Sequence, residues 1–419
     1  YLIAPLGLLA FHFAAFFHPK VQLGINLRKG ERGIPPWFKR KPSKQPIWIH
    51  CSSGEFEYAK PVIRELKVRY PKTPILVTYF SPSAKKNVES FYGVDFSTPT
   101  PWELKSSWSR FIEFHKPQML LIARTDLWPA MLIEAKERKI PILLFSATLV
   151  HQSGRMRFFA RPFYSWLLKD LSVYCVSEGD RENFETLRVK NLTVSGDCRF
   201  DQVFSRLQNP KPVKKELFLH KDRNSILVAG STWREDEAVL LPAFAEIKSL
   251  RENFKMIIAP HEPTPAHLKS LTEEIHRLNL SHRFYSQDGS WHEDILIIDE
   301  VGILAELYIR GALAFVGGSF RGSIHSVMEP LAAGCIVLFG PHHHNNREAL
   351  DFQKHQVFNQ AIASQVENAG ALAQAIREIL NLKNLSSMTA LIQKKTREHT
   401  GATQAVIDWV NWNQPQSKK

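Results

Sequence analysis

Four stretches of this 419-residue chain carry side chains able to do chemistry. In HCSSGEFEYAKP (50–61) a carboxylate, Glu55, sits in a turn of small residues between an apolar run and an amphipathic one. A carboxylate there can take the proton of a weak nucleophile such as an alcohol, or it can offset the positive end of a helix dipole, worth about 0.3–1 kcal/mol. In FVGGSFRGSIHSVMEPLAAG (315–334), Gly317, Gly318 and Ser319 let backbone N–H groups approach an anion at a helix N-terminus. Glu329, one turn into that helix, is placed to accept from both hydroxyls of a ribose. Alternatively the glycines only make a tight turn, and Glu329 lies on a solvated face. AGSTWREDE (229–237) offers Ser231 and Thr232 as a second anion cradle or as ordinary N-caps. GPHHHNN (340–346) invites a metal, but neighbouring histidines on one loop rarely converge on one ion and no carboxylates join them, so no metal is expected. No GxGxxG follows a strand and no GxxxxGK[ST] occurs, which argues against dinucleotide and P-loop enzymes.

These residues need strand ends to hold them. Apolar runs IWIHC (47–51), ILVTY (75–79), MLLIA (119–123), ILLFSA (142–147) and VYCVS (173–177) alternate with helix-like stretches such as PVIRELKVRY. The helix after the first run is expected to start near Glu57, with Pro61 in or near its first turn. The rhythm breaks over RLQNPKPVKKELFLHKDRN (206–224) and restarts with SILVAGS (225–231), FKMIIAP (254–260), ILIID (295–299), LAFVG (313–317) and IVLFG (336–340). Strand–helix alternation reads as parallel α/β. Two such units imply a bilobal enzyme with a cleft, its ligands at the carboxyl ends of the strands. The expected division is 1–20 membrane anchor, 21–45 basic juxtamembrane segment, 46–205 N-terminal acceptor domain, 206–224 linker, 225–384 nucleotide-sugar domain, and 385–419 a C-terminal helical segment crossing back.

The net charge of +13 favours anionic partners. Without arginine-rich tails or zinc-finger spacing, nucleic acid is not expected. Cys51, Cys175, Cys198 and Cys335 form no CxxC pair and lie beside apolar runs, the pattern of buried thiols in a reducing compartment. The opening YLIAPLGLLAFHFAAFFHP is apolar, and eight lysines and arginines follow by Lys44 against one acid, Glu31. That is the pattern of a membrane anchor with a cytoplasmic basic flank near anionic lipid; a buried N-terminal helix is the alternative.

In this order, IHCSSGEFEYAKPVIREL, RTDLWPAMLIEAKERKIPILLFSATL, VSGDCRFD, GSTWREDE, LAELYIRGALAFVGGSF, HSVMEPLAAG and LFGPHHHN resemble the Kdo transferases of lipopolysaccharide core synthesis, from about residue 46 to 350. The resemblance implies a GT-B fold, two Rossmann-like lobes around a cleft. It implies inverting transfer of 3-deoxy-D-manno-octulosonic acid (Kdo) from CMP-Kdo to a lipid A precursor (lipid IVA), at the cytoplasmic face of the bacterial inner membrane and without cofactor or metal. By resemblance Glu55 is the general base, and Arg199, where the family has lysine, stabilises the departing phosphate. Pro260, His261, Val301, Gly302, Ile303, Ser326, Val327, Met328 and Glu329 bind the CMP donor, with Gly317, Gly318 and Ser319 beside them. The family's E-T-E-L-W-P becomes Arg124-Thr125-Asp126-Leu127-Trp128-Pro129. Arg124 replaces an acid assigned to the transition state, and Ile303 replaces another. Three outcomes are open for Arg124: it holds an anionic ligand group, it pairs with Glu55, or it turns to solvent while Asp126 serves as the acid. A changed donor or lipid acceptor, or a silent lipid- or nucleotide-binding homologue, are the alternative functions.

Overall fold

The computed structural model describes residues 17–29, 35–38, 41–214, 218 and 222–414. Most of the expected membrane anchor, and parts of the basic segment and of the linker, lie outside these residues. Pro19–Lys29 is a helix. Among the described residues no helix is long and apolar enough to cross a membrane. Contacts divide the chain into two units, Tyr1–Gln202 with His399–Lys419, and Val203–Glu398.

The first unit holds seven parallel strands: β1 (Ile47–His50), β2 (Ile75–Tyr79), β3 (Phe96–Pro99), β4 (Met119–Ala123), β5 (Ile142–Ala147), β6 (Ser172–Cys175) and β7 (Asn191–Val194), in the order β3-β2-β1-β4-β5-β6-β7. Residues of β1, β2 and β4 alternate between two cores, as a period of two requires. Ile47, Ile49, Val77 and Leu121 pack with Val62, Ile63 and Leu66 of the Phe56–Arg69 helix, and with Val406 and Val410 near the chain's end. Trp48, Leu76, Leu120 and Ile122 face the other way onto Trp108, Phe111 and Met131. Covered on both faces, these strands are apolar except for His50 and Thr78, which is why they stand out in the sequence.

The second unit holds β8 (Ile226–Thr232), β9 (Lys255–Pro260), β10 (His282–Phe284), β11 (Ile295–Ile297), β12 (Leu313–Val316), β13 (Ile336–Phe339) and β16 (Ala363–Gln365), ordered β10-β11-β9-β8-β12-β13-β16 and parallel throughout. A small hairpin, β14 (Gln356–Val357) and β15 (Gln360–Ala361), stands apart. In each sheet the order reverses beside the strand that begins it, between β1 and β4 and between β8 and β12. Crevices for ligands open at such switch points.

Several expectations are corrected. The helix after β1 starts at Phe56, one residue before Glu57, and Pro61 falls early in its second turn. The run at 173–177 forms a strand only over 172–175, because Ser177 caps the next helix. The stretch expected to open the linker at residue 206 is still helical to Gln208. The final stretch is two helices, Leu385–Arg397 and Ala402–Asn413, because Gly401 takes a left-handed conformation between them. All four cysteines are buried, and none is in a disulfide. Burial pushes the Cys51 thiol well up, with Asp126 and Glu55 adding to it, and lifts Cys335 to about 11.

Candidate active site

Glu55, Arg124, Asp126 and Arg199 all lie at the carboxyl edge of the first sheet. Glu55 occupies the N-cap of the Phe56–Arg69 helix, but its side chain caps nothing. Its Oε2 accepts from the Ser53 N–H at 2.8 Å. One turn on, the buried ring of Tyr58 organises the arginines: the Arg199 guanidinium lies 4.6 Å from its centroid and that of Arg124 5.3 Å. Both are within cation–π range. Arg199 is held from its other side by Asp197, with Nη2 donating to Oδ2 at 2.8 Å and Nε at 3.1 Å.

Arg124 leaves β4 in a left-handed conformation, φ 59°, with its N–H on the Phe145 carbonyl and its Nη2 donating to Thr148 Oγ1 at 3.2 Å. Of the three outcomes open for it, two are not observed. Among the described residues it forms no ion pair with Glu55, and it is half-buried rather than turned to solvent. A non-glycine residue there carries strain of about 1–3 kcal/mol that its surroundings must maintain.

Asp126 belongs to a buried chain of polar groups. Trp48 Nε1 can only donate, and it donates to Thr78 Oγ1 at 2.9 Å. Thr78 Oγ1 also shares a hydrogen bond with His50 Nδ1 at 2.9 Å. The other ring nitrogen, Nε2, lies 2.9 Å from Asp126 Oδ2. Burial works to raise the pKa of Asp126, but the hydrogen bonds of His50, Ser52 and Trp128 outweigh it and hold the carboxyl below its ordinary range. His50 and Thr78 are fully buried.

In the second unit the switch point between β8 and β12 gathers Ser231, Thr232, Pro260, His261 and Gly317 to Ser319. The N–H groups of Gly317 and Gly318 are already engaged, so the glycine loop does not offer these two to an anion. The Asp236 carboxylate takes those of Gly318 (2.7 Å), Phe320 (3.0 Å) and Trp233 (2.9 Å), and Gly317 N–H goes to the Gly230 carbonyl. Desolvation nonetheless raises the Asp236 carboxyl. Ser319 is wholly buried between Val316 O and Gly340 N. Thr232 is buried on Glu237, which also holds His267. Neither Ser231 nor Thr232 caps a helix: the N-cap is Trp233, tied by Asp236. Gly317 is obligatory because a Cβ would lie 2.3 Å from Ser231 O.

What remains open there is a set of rings, of which the sequence reading names His261 as a donor-binding residue. Arg321 lies 3.7 Å over Trp233, Trp233 is 4.9 Å from His261, and His261 stacks on His325 at 4.3 Å and 21°. Trp233 Nε1 donates to His325 Nε2 at 3.3 Å. Burial, and then the nearby His261, bring His325 down to about 4, so it is neutral near pH 7. Ser326 Oγ donates to Glu329 Oε2, and Glu329 is in the first turn of the short Met328–Ala332 helix, with Val327 and Met328 buried. Val301 is exposed, Gly302 O accepts from Arg206 and Lys211, and Ile303 is buried. Of the three histidines, His343 is buried against Gly340 O, while His342 and His344 are exposed.

A sequence profile described as 3-Deoxy-D-manno-octulosonic-acid transferase (kdotransferase) matches residues 28–202. The chain is 28% identical over 367 residues to a 3-deoxy-D-manno-octulosonic acid transferase of Aquifex aeolicus, covering 86% of this chain and 92% of that one. It is 24% identical over 378 residues to one from Haemophilus influenzae, covering 88% and 87%. Among solved structures it is similar to a UDP-GlcNAc 2-epimerase of Neisseria meningitidis (TM-score 0.61, 15% identity, 88% of this chain and 100% of that one). It is also similar to a glycosyltransferase of Rickettsia africae (TM-score 0.57, 14% identity, 90% and 100%). At these identities the structures speak for the fold alone: two Rossmann-like units.

Proposed function

From the premise that this chain is a divergent relative of the Kdo transferases, we propose that it moves Kdo from CMP-Kdo to a hydroxyl of a lipid A precursor (lipid IVA), with inversion, at the cytoplasmic face of the inner membrane. The acceptor oxygen bonds to the anomeric carbon as the bond from that carbon to the CMP phosphate breaks. Glu55 takes the hydroxyl proton, since an alcohol is a poor nucleophile until it loses it. The observation that carries this reading is the state of Glu55. It stands at the switch point of the first sheet, half-exposed, held by one backbone N–H and, among the described residues, free of any ion pair.

Arg199 supplies positive charge for the leaving phosphate, its direction fixed by Asp197 and Tyr58. Arg124 holds an anionic group of donor or acceptor. In the second unit the exposed His261 and the neutral His325 beside it suit a planar base, and Glu329 suits a ribose. The replacement of an acid by Arg124 supports a second reading, a donor or lipid acceptor bearing a different anionic group. Incubation with CMP-Kdo and lipid IVA, followed by mass analysis of the lipid, tests the proposal. A lipid heavier by one or more Kdo residues is expected. An unchanged lipid with intact donor overturns it.

A further inference from the structure

The connection leaving β5 has no part in the chemistry above, yet it is built unlike the rest of the surface. Between Val150 and Lys169 the chain reads VHQSGRMRFFARPFYSWLLK, without one acid. Phe158 is 85% exposed and Phe159 91%, and Phe163 and Trp166 present further apolar surface from the Arg161–Leu168 helix. The buried residues of that helix are Leu167 and Leu168, so its apolar side chains serve the core on one side and solvent on the other. Arg157 and Lys169 are exposed within the same stretch. Large aromatics standing in water beside cations mark a surface that meets a partner. The exposed cations Arg157, Arg161 and Lys169, with the first acid only at Asp170, fit an anionic one.

The stretch is also fixed to the candidate active site. Arg155 Nη2 donates to Thr125 O at 2.9 Å, between Arg124 and Asp126, and its guanidinium lies over Tyr164. The aromatic tip therefore leaves the same edge of the sheet that carries Glu55.

We propose that this aromatic and basic surface, centred on Phe158 and Phe159, docks on an anionic lipid bilayer. The phenylalanine rings enter the headgroup and acyl boundary, and Arg157 and Lys169 meet lipid phosphates. Docked this way, the carboxyl edge of the first sheet faces the bilayer, from which a lipid-linked hydroxyl would have to reach Glu55. The surface acts apart from any membrane segment at residues 1–20.

The test is co-sedimentation of the full chain with phosphatidylglycerol/phosphatidylethanolamine vesicles and with pure phosphatidylcholine vesicles. Phe158→Ala/Phe159→Ala and Arg157→Gln/Lys169→Gln are compared with wild type at low and high salt. All four side chains are exposed, so both variants are expected to fold, which circular dichroism checks. The aromatic pair should lower partition into anionic vesicles by roughly tenfold or more. The charge pair should lower it several-fold and flatten its salt dependence, with little change on phosphatidylcholine. Unchanged partition for folded aromatic variants overturns the proposal. So does a dimer, seen by light scattering, that these variants dissociate without loss of vesicle binding. Vesicle binding is read without sugar transfer, so its failure leaves the proposed activity standing.

Discussion

Substituting Glu55 by glutamine separates chemistry from structure. Glutamine keeps an oxygen to accept the Ser53 N–H, 2.8 Å away in the wild type, and fills nearly the same volume. Glu55 makes no capping bond, so the folded state loses at most the attraction of a charge to the helix dipole, about 0.3–1 kcal/mol. For a unit of this size the melting temperature should fall by about 4 °C or less. Losing the base should cost the rate on the order of 10²–10⁴, or about 2.7–5.4 kcal/mol of barrier at 1.36 kcal/mol per decade. The chemical effect therefore exceeds the structural one severalfold. The assay is the initial rate of Kdo appearance on lipid at saturating donor, with CMP-Kdo binding followed by calorimetry and expected to be unchanged. A rate within threefold of wild type refutes Glu55 as base. A melting temperature lowered far beyond the dipole term would assign it to the fold instead.

Arg124→Ala should raise the KM for donor or acceptor several-fold, since its guanidinium sits beside Arg199 on the Tyr58 ring; unchanged constants for both remove its anion-binding role. Gly317→Ala should destabilise the second unit by about 1–3 kcal/mol, read by denaturant unfolding, because its Cβ meets Ser231 O at 2.3 Å. His325 gives a pH signature. Held down to about 4 when folded against 6.5 otherwise, it takes up a proton more readily in the unfolded chain. Its contribution to stability is intact above 6.5 and declines as pH falls toward 4. The melting temperature of His325→Gln should therefore fall less steeply over that window than that of wild type.

Which strands the sequence reveals follows from where they stand. β1, β2, β4 and β5 are buried on both faces and read as largely apolar runs, broken only by the buried His50, Thr78 and Ser146. The four strands the reading missed in the two sheets, FSTP, NLTV, HRF and ASQ, are the four sheet edges. They are short, and at most half of each is buried, so little hydrophobic pattern marks them. At the site, the sequence singles out Glu55 as an acid in a small-residue turn, with a helix-dipole role as the alternative. It does not single out Tyr58, because a tyrosine on a helix face looks like core. Asp236 had a signal: an acid three residues after Trp233 is a capping arrangement, and it foretells that the neighbouring amides are already engaged. The Trp233–His261–His325 stack draws on three loops, which spacing in sequence does not bring together.

The four buried thiols bear on how this protein is measured. Thiolate is the form that alkylating reagents attack, and burial suppresses it at Cys51, Cys198 and Cys335. Alkylation at neutral pH thus requires that the surrounding structure open. Cys51, Cys175 and Cys198 lie in the first unit and Cys335 in the second. Peptide-resolved labelling over time is therefore a native clock for each unit separately, without introduced probes, and it would show which half yields first when donor is withheld or a variant is heated.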